Sequence, residues 1–109
     1  MRVSFLVPAY NEAATIVEIL NRVSALDLDK QIVVVDDGST DGTGDLVESW
    51  RSGRDAVVLI RQENRGKGSA VRAAIPHADG DICVIQDADL EYDPAGRPGP
   101  DRADHARER

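Results

Sequence analysis

Four short apolar runs rich in β-branched residues, Val3 to Val7, Gln31 to Val35, Ala56 to Ile60 and Ile82 to Ile85, constrain the fold most tightly. Each is nearly continuous in its apolarity, the pattern of a strand covered on both faces in a parallel sheet. The segments between them have helical period. Ile16, Ile19, Leu20 and Val23 fall at i, i+3, i+4 and i+7, while Leu46, Val47 and Trp50, then Ala70, Val71 and Ala74, repeat shorter versions. Pro76 is expected to kink or end the third helix. The order βαβαβαβ predicts right-handed crossovers, which put all four strand ends on one edge of a mostly parallel sheet with helices on both faces.

The polar residues respect that edge. Pro8 to Glu12, Asp36 to Asp41, Arg61 to Lys67 and Gln86 to Glu91 each follow a strand directly. Ligands of open α/β sheets bind beyond the carboxyl ends of the strands, so these four loops are predicted to share one crevice. The connections at the opposite edge, Asp27 to Lys30, Ser52 to Asp55 and Asp79 to Asp81, carry less chemistry.

In Asp36-Asp37-Gly38-Ser39-Thr40-Asp41-Gly42, Gly38 is free to take positive φ, and Ser39 or Thr40 can cap the following helix. A capped turn accounts for Ser39, Thr40 and Asp41. It leaves adjacent carboxylates at the mouth of an apolar strand, where desolvation opposes their charge, so Asp37 is expected to take a ligand donor such as a base N–H. Asp87, Asp89 and Glu91 are spaced two apart; in extended backbone they share a face, a set of hard oxygen ligands suited to Mg²⁺ or Mn²⁺, against the alternative of a solvated acidic loop. Tyr10 offers a ring for stacking a nucleobase, and Asn11 a helix N-cap. Asn64-Arg65-Gly66-Lys67-Gly68-Ser69 suits phosphate at a helix start, or equally a flexible turn with solvated cations. It lacks the P-loop spacing.

The 109 residues allow one domain. Twenty acids against thirteen bases give a formal net charge of −7, which disfavours nucleic acid and anionic lipid. An anionic nucleotide would need a local cation, and a divalent metal between carboxylates supplies one. Cys83, the single cysteine, excludes a disulfide within the chain and reads as inert strand core. His77 and His105 lack neighbours at metal-ligand spacing, and Trp50 reads as packing. No run suits a signal h-region or approaches the ~20 apolar residues of a membrane span, so a cytoplasmic location is expected. From Ala95 onward no apolar residue exceeds alanine, which predicts a fold over residues 1–94 and a disordered tail over 95–109.

In order, Val7-Pro8-Ala9-Tyr10-Asn11-Glu12, Val35-Asp36-Asp37-Gly38-Ser39-Thr40-Asp41-Gly42-Thr43, Asn64-Arg65-Gly66-Lys67-Gly68 and Gln86-Asp87-Ala88-Asp89-Leu90-Glu91-Tyr92-Asp93-Pro94 resemble family 2 glycosyltransferases. The subgroup most similar is the polyprenyl-phosphate, or dolichol-phosphate, mannosyl- and glucosyltransferases. The resemblance implies an α/β, Rossmann-like GT-A fold, of which this is the nucleotide-binding half. It implies that Pro8, Tyr10, Glu12, Val35 and Asp37 line the base and ribose pocket of a UDP- or GDP-linked sugar. Lys67, Asp87 and Ala88 would contact the nucleotide, while Asp89 and Glu91 would hold Mg²⁺ or Mn²⁺ on the diphosphate. Sugar transfer with inversion to an acceptor such as a polyprenyl phosphate is the implied reaction.

The family's acceptor half is expected after Ala95, where this sequence turns to Pro, Gly and Arg. The chain is therefore expected to be truncated, with Ile82, Val84 and Ile85 along an unprotected sheet edge and little turnover alone. A nucleotidyltransferase would want a glycine-rich basic loop after the first strand, and a phospho-receiver domain a Lys on a later strand; neither is present. A non-catalytic nucleotide-sugar-binding module remains the alternative.

Overall fold

The computed structural model describes residues 1–89. The expected ligand Glu91, the domain boundary near Pro94 and the expected tail lie outside the described residues. The chain runs β1 (Val3–Ala9), α1 (Ile16–Ser24), β2 (Lys30–Asp37), α2 (Thr43–Trp50), β3 (Val57–Gln62), α3 (Lys67–Ala74), a 3₁₀ turn (Ile75–His77) and β4 (Ile82–Ile85). All pairings are parallel, in the order β3-β2-β1-β4. This is the Rossmann-like α/β sheet that the apolar runs predict, and Pro76 sits in the 3₁₀ turn that ends α3.

The two central strands are buried on both faces, which is why their runs do not alternate. Phe5, Val7 and Ala9 of β1 and Ile32 and Val34 of β2 pack with Ile16, Leu20 and Val23 of α1 and Val47 of α2. Leu6, Val33 and Val35 face the other way, against Ala70 and Ala74 of α3. Burying each branched aliphatic contributes about 1.5–3 kcal/mol. The alanines of α3 allow that helix to lie close to the sheet. Leu46, expected on the inner stripe of α2, is exposed because Val47 takes the inward position on this short helix.

β4 lies at a sheet edge, as expected of Ile82, Val84 and Ile85, but Cys83 departs from expectation. The four residues of β4 are exposed, including Ile85 at 53% and the Cys83 expected in the core. The physical reason is position: β4 is short and sits at the sheet margin, where it pairs with β1 alone. Its apolar sequence resembles that of a central strand, but its second edge has no strand partner among the described residues.

The amino ends of the strands are closed by polar contacts. Arg2 donates from Nε to Asp79 (2.8 Å) and from its guanidinium to Asp29 (2.8 Å), while its backbone N–H donates to Asp81 (2.8 Å). Beneath it the buried Ser4 hydroxyl donates to Gln31 Oε1 (2.7 Å) and accepts from Gly80 N–H (2.8 Å). Trp50 is partly buried, its indole N–H donating to Asn21 (2.8 Å) and its ring covered by Arg54 (4.0 Å). Among the described residues no helix is long and apolar enough to cross a membrane.

Candidate functional site

At the carboxyl ends of the strands, the four loops are tied to one another in a closed ring. The loop after β1 meets the loop after β2: Asn11 N–H donates to Ser39 Oγ (2.9 Å), Thr40 N–H to Asn11 Oδ1 (2.8 Å), Glu12 N–H to Thr43 Oγ1 (3.0 Å) and Ala13 N–H to Asp41 (3.1 Å). The loop after β2 meets the loop after β3 through Asp37. Its carboxylate accepts from Gln62 Nε2 (2.8 Å), Arg65 N–H (2.8 Å) and Gly66 N–H (2.9 Å). Lys67 Nζ then donates to Asp87 (2.5 Å), joining the third loop to the fourth. Thr15 Oγ1 closes the circuit by donating to the Ala88 carbonyl (2.8 Å).

Several expected local roles change. Asn11 takes φ 52° and bridges two loops; the N-cap of α1 is Thr15. The N-cap of α2 is Gly42, and Asp41 rather than Ser39 or Thr40 accepts the first-turn N–H, that of Thr43 (3.1 Å). Asp37 is 3% exposed and already has three donors from its own chain, so the unmet acceptor inferred from its sequence context is met internally. Burial alone would push its pKa up, but the Gln62, Arg65 and Gly66 donors outweigh burial and hold it below the ordinary value.

The remaining expected site residues lie around the ring. Pro8 is half-buried and in register with Val35, which is fully buried and can only shape the floor. Tyr10 is 47% exposed, leaving its ring accessible. Glu12 accepts from Thr15 Oγ1 (3.3 Å), and its pKa is raised, first by burial and then by the charges of Asp89, Asp41 and Asp87. It therefore belongs electrostatically with the acids after β4 as much as with Tyr10. Ala88 is 4% exposed, its carbonyl engaged by Thr15.

The shared face expected of Asp87, Asp89 and Glu91 requires extended backbone, yet the strand ends at Ile85 and the chain bends at Ala88 and Asp89. Asp87 turns to Lys67. Among the described residues no group of three Asp, Glu, His or Cys side chains is arranged to hold a metal. The donor chemistry still fits a hard divalent cation, because Mg²⁺ takes one or two carboxylates and completes its shell with water and substrate phosphate. Asp89 and Glu12 are near enough for Asp89 to raise the Glu12 pKa.

The ring itself rests on residues that sequence reasoning passed over or misread: Asn11, Thr15, Thr43, Gln62 and Asn64. The available signal was their polar side chains in and beside the loops that follow the strands, but their bonds reach partners 25 to 73 residues away, which no local pattern shows.

A four-stranded parallel sheet with its loops collected at the carboxyl edge puts the chain in the class of open α/β proteins, which bind ligands at that edge. The profile of glycosyl transferase family 2 matches residues 4–97, and the chain belongs to that family. It is 38% identical over 96 residues to the dolichol-phosphate mannosyltransferase of Pyrococcus furiosus, covering 86% of this chain and 27% of that protein. The structure resembles the mannosyltransferase PcManGT of Pyrobaculum calidifontis in complex with GDP-Man and Mn²⁺, at 42% identity and TM-score 0.76, covering 81% of this chain and 27% of that one. It also resembles S. aureus TarS 1-349 in complex with UDP-GlcNAc, at 32% identity and TM-score 0.74, covering 82% of this chain and 27% of that one. The chain spans between 22% and 27% of the length of the curated relatives it matches.

Proposed function

We propose that this chain forms the donor site of a glycosyltransferase, binding a UDP- or GDP-linked sugar at the ring of loops. The observation that carries the reading is the ring itself, which gathers Tyr10, Glu12, Lys67, Asp87 and Asp89 at one edge of the sheet. The complexes of PcManGT with GDP-Man and of TarS with UDP-GlcNAc support the ligand class. In this reading Tyr10 stacks on the base, with Pro8 above the buried Val35 as the neighbouring wall. The exposed Lys67 exchanges its half-buried carboxylate partner for phosphate, and Asp87 turns to the nucleotide.

Asp89, with Glu91 and with Glu12 close by, would hold Mg²⁺ or Mn²⁺. The cation would neutralise charge on the departing diphosphate, the chemistry that such ions supply in group transfer. The acceptor, such as a polyprenyl phosphate whose oxygen attacks the anomeric carbon with inversion as the nucleoside diphosphate departs, would be bound outside this donor site.

Calorimetry of the 109-residue chain with UDP, GDP and their sugars, with and without Mn²⁺, tests the reading. The expected result is binding that requires the metal and is lost in Asp89→Ala. Metal-independent binding, or none, contradicts it. Binding without sugar transfer restricts this chain to the donor site.

A further inference from the structure

At the amino ends of β2 and β3, where α1 and α2 finish, the packing leaves a cavity of about 200 Å³. Its floor is apolar: Ile32 and Val57 are both buried, beside the backbone bond from Ile32 N–H to the Ala56 carbonyl (2.9 Å). Trp50 forms a wall, and Lys30 and Arg54 stand at the rim. Pockets for drug-sized ligands hold about 300–1,000 Å³, so this one takes something smaller than a nucleotide sugar.

Its two cations are held differently from those elsewhere. Arg2, Arg22, Arg51, Arg61 and Lys67 each meet a carboxylate. Lys30 and Arg54 meet none among the described residues, although the chain has twenty acids against thirteen bases. Lys30 Nζ donates to the Leu26 carbonyl (2.8 Å), and Arg54 donates from Nε to the Trp50 carbonyl (3.0 Å) and from Nη1 to Ser24 Oγ (3.3 Å). Neutral acceptors leave both charges in place. They also leave donors unused, since an ammonium carries three and a guanidinium five. The Trp50 ring lies under the Arg54 guanidinium (4.0 Å) and its N–H is held by Asn21, so cation and wall are fixed before any ligand arrives. Asp55 lines the cavity from an exposed position, where water screens its charge.

We propose that this cavity is a second binding site, for a small carboxylate with a compact apolar body such as an aromatic acid. The carboxylate group meets Lys30 and Arg54, and the body rests on Ile32 and Val57 beside the Trp50 ring. Charge-assisted hydrogen bonds favour the carboxylate over a neutral amide of the same shape. The site lies at the amino ends of the strands and the ring of loops at their carboxyl ends, so the proposal does not depend on the donor-site reading.

Benzoate and benzamide, alike in shape and different in charge, are the probes. NMR titrations of the 109-residue chain are expected to show saturable benzoate shifts at the Trp50 indole N–H and at the Ile32 and Val57 methyls. No shifts are expected at Tyr10 or Asp87, and the benzoate affinity is expected to be the same with UDP and Mn²⁺ present. Benzamide should bind about fivefold more weakly than benzoate, and benzoate should bind Lys30→Met about fivefold more weakly than wild type. Ala56→Leu, which fills the hollow and leaves both cations, should abolish benzoate binding. Lys30→Met changes a rim side chain alone and serves if Ala56→Leu does not fold.

No saturable benzoate binding to the wild-type chain, equal affinities for benzoate and benzamide, or shifts centred away from Trp50, Ile32 and Val57 would overturn the proposal. An unchanged benzoate affinity in either folded variant would do the same. Failure of the chain to bind UDP would count against the donor site and leave these outcomes as they stand.

Discussion

The two rims of the sheet are both rich in acids, and they handle much of that negative charge differently. At the amino rim Arg2 meets Asp29 and Asp79 directly, so the acids there have a cation of their own. At the carboxyl rim Asp87 meets Lys67, but Glu12, Asp37 and Asp41 take their hydrogen bonds from hydroxyl, amide and backbone N–H groups. Neutral donors fix a carboxylate in place without cancelling its charge. The amino rim is a finished clasp, whereas the carboxyl rim keeps a negative field and an ordered frame, the conditions under which a divalent cation and its diphosphate can be held together.

This contrast can be broken by substitution. The largest effect is expected at Gly38, where φ of 77° and the close Asn64 backbone exclude a side chain. Gly38→Ala should cost about 3 kcal/mol in urea unfolding and should weaken nucleotide binding as the third loop is displaced. At the amino rim Ser4→Ala removes a buried hydroxyl that serves both Gln31 and Gly80. It should cost about 2 kcal/mol with no change in nucleotide affinity, a separation that the same two measurements check. Thr15→Val opens the last link of the ring at Ala88. A loss of about 1 kcal/mol is expected, with a measurable drop in affinity despite the smaller destabilisation.

Acidification sharpens the comparison further. Asp37 has a folded pKa below its ordinary value of 3.8, so its contribution to stability is complete above that value and is lost as pH falls through the folded pKa. Glu12 has a folded pKa above its ordinary value of 4.5, so its ionisation opposes folding, and lowering the pH through the raised pKa relieves that opposition. Carboxyl-carbon NMR should therefore show Glu12 protonating at higher pH than Asp37. The reverse order would contradict the partners assigned to both.

Much of this was legible in the sequence because burial on both faces leaves a simple mark. The runs at Val3, Gln31 and Ala56 and the stripe Ile16, Ile19, Leu20 and Val23 locate strands and helix, and the loops that follow the strands locate the rim. What was not legible depends on neighbours distant in sequence. Ile82 to Ile85 reads by apolarity alone as a core strand; the edge position followed only from the family resemblance, and the exposure of Cys83 shows only in the strand order. Asp37 reads as a carboxylate in want of a donor because its three donors lie 25 to 29 residues further on. Asn11 reads as a cap because a left-handed residue bridging two loops leaves the same residue type in the same place.

The central claim is that nucleotide binds at the carboxyl rim and leaves the amino rim untouched. Amide and side-chain NMR shifts on adding UDP or GDP with Mg²⁺ test it most directly. Shifts are predicted at Tyr10, Glu12, Lys67, Asp87 and Asp89, with none at Arg2, Asp29 or Asp79. Shifts centred instead on Arg2, or on the cavity of about 200 Å³ between Lys30, Trp50 and Arg54 at the opposite rim, would contradict it.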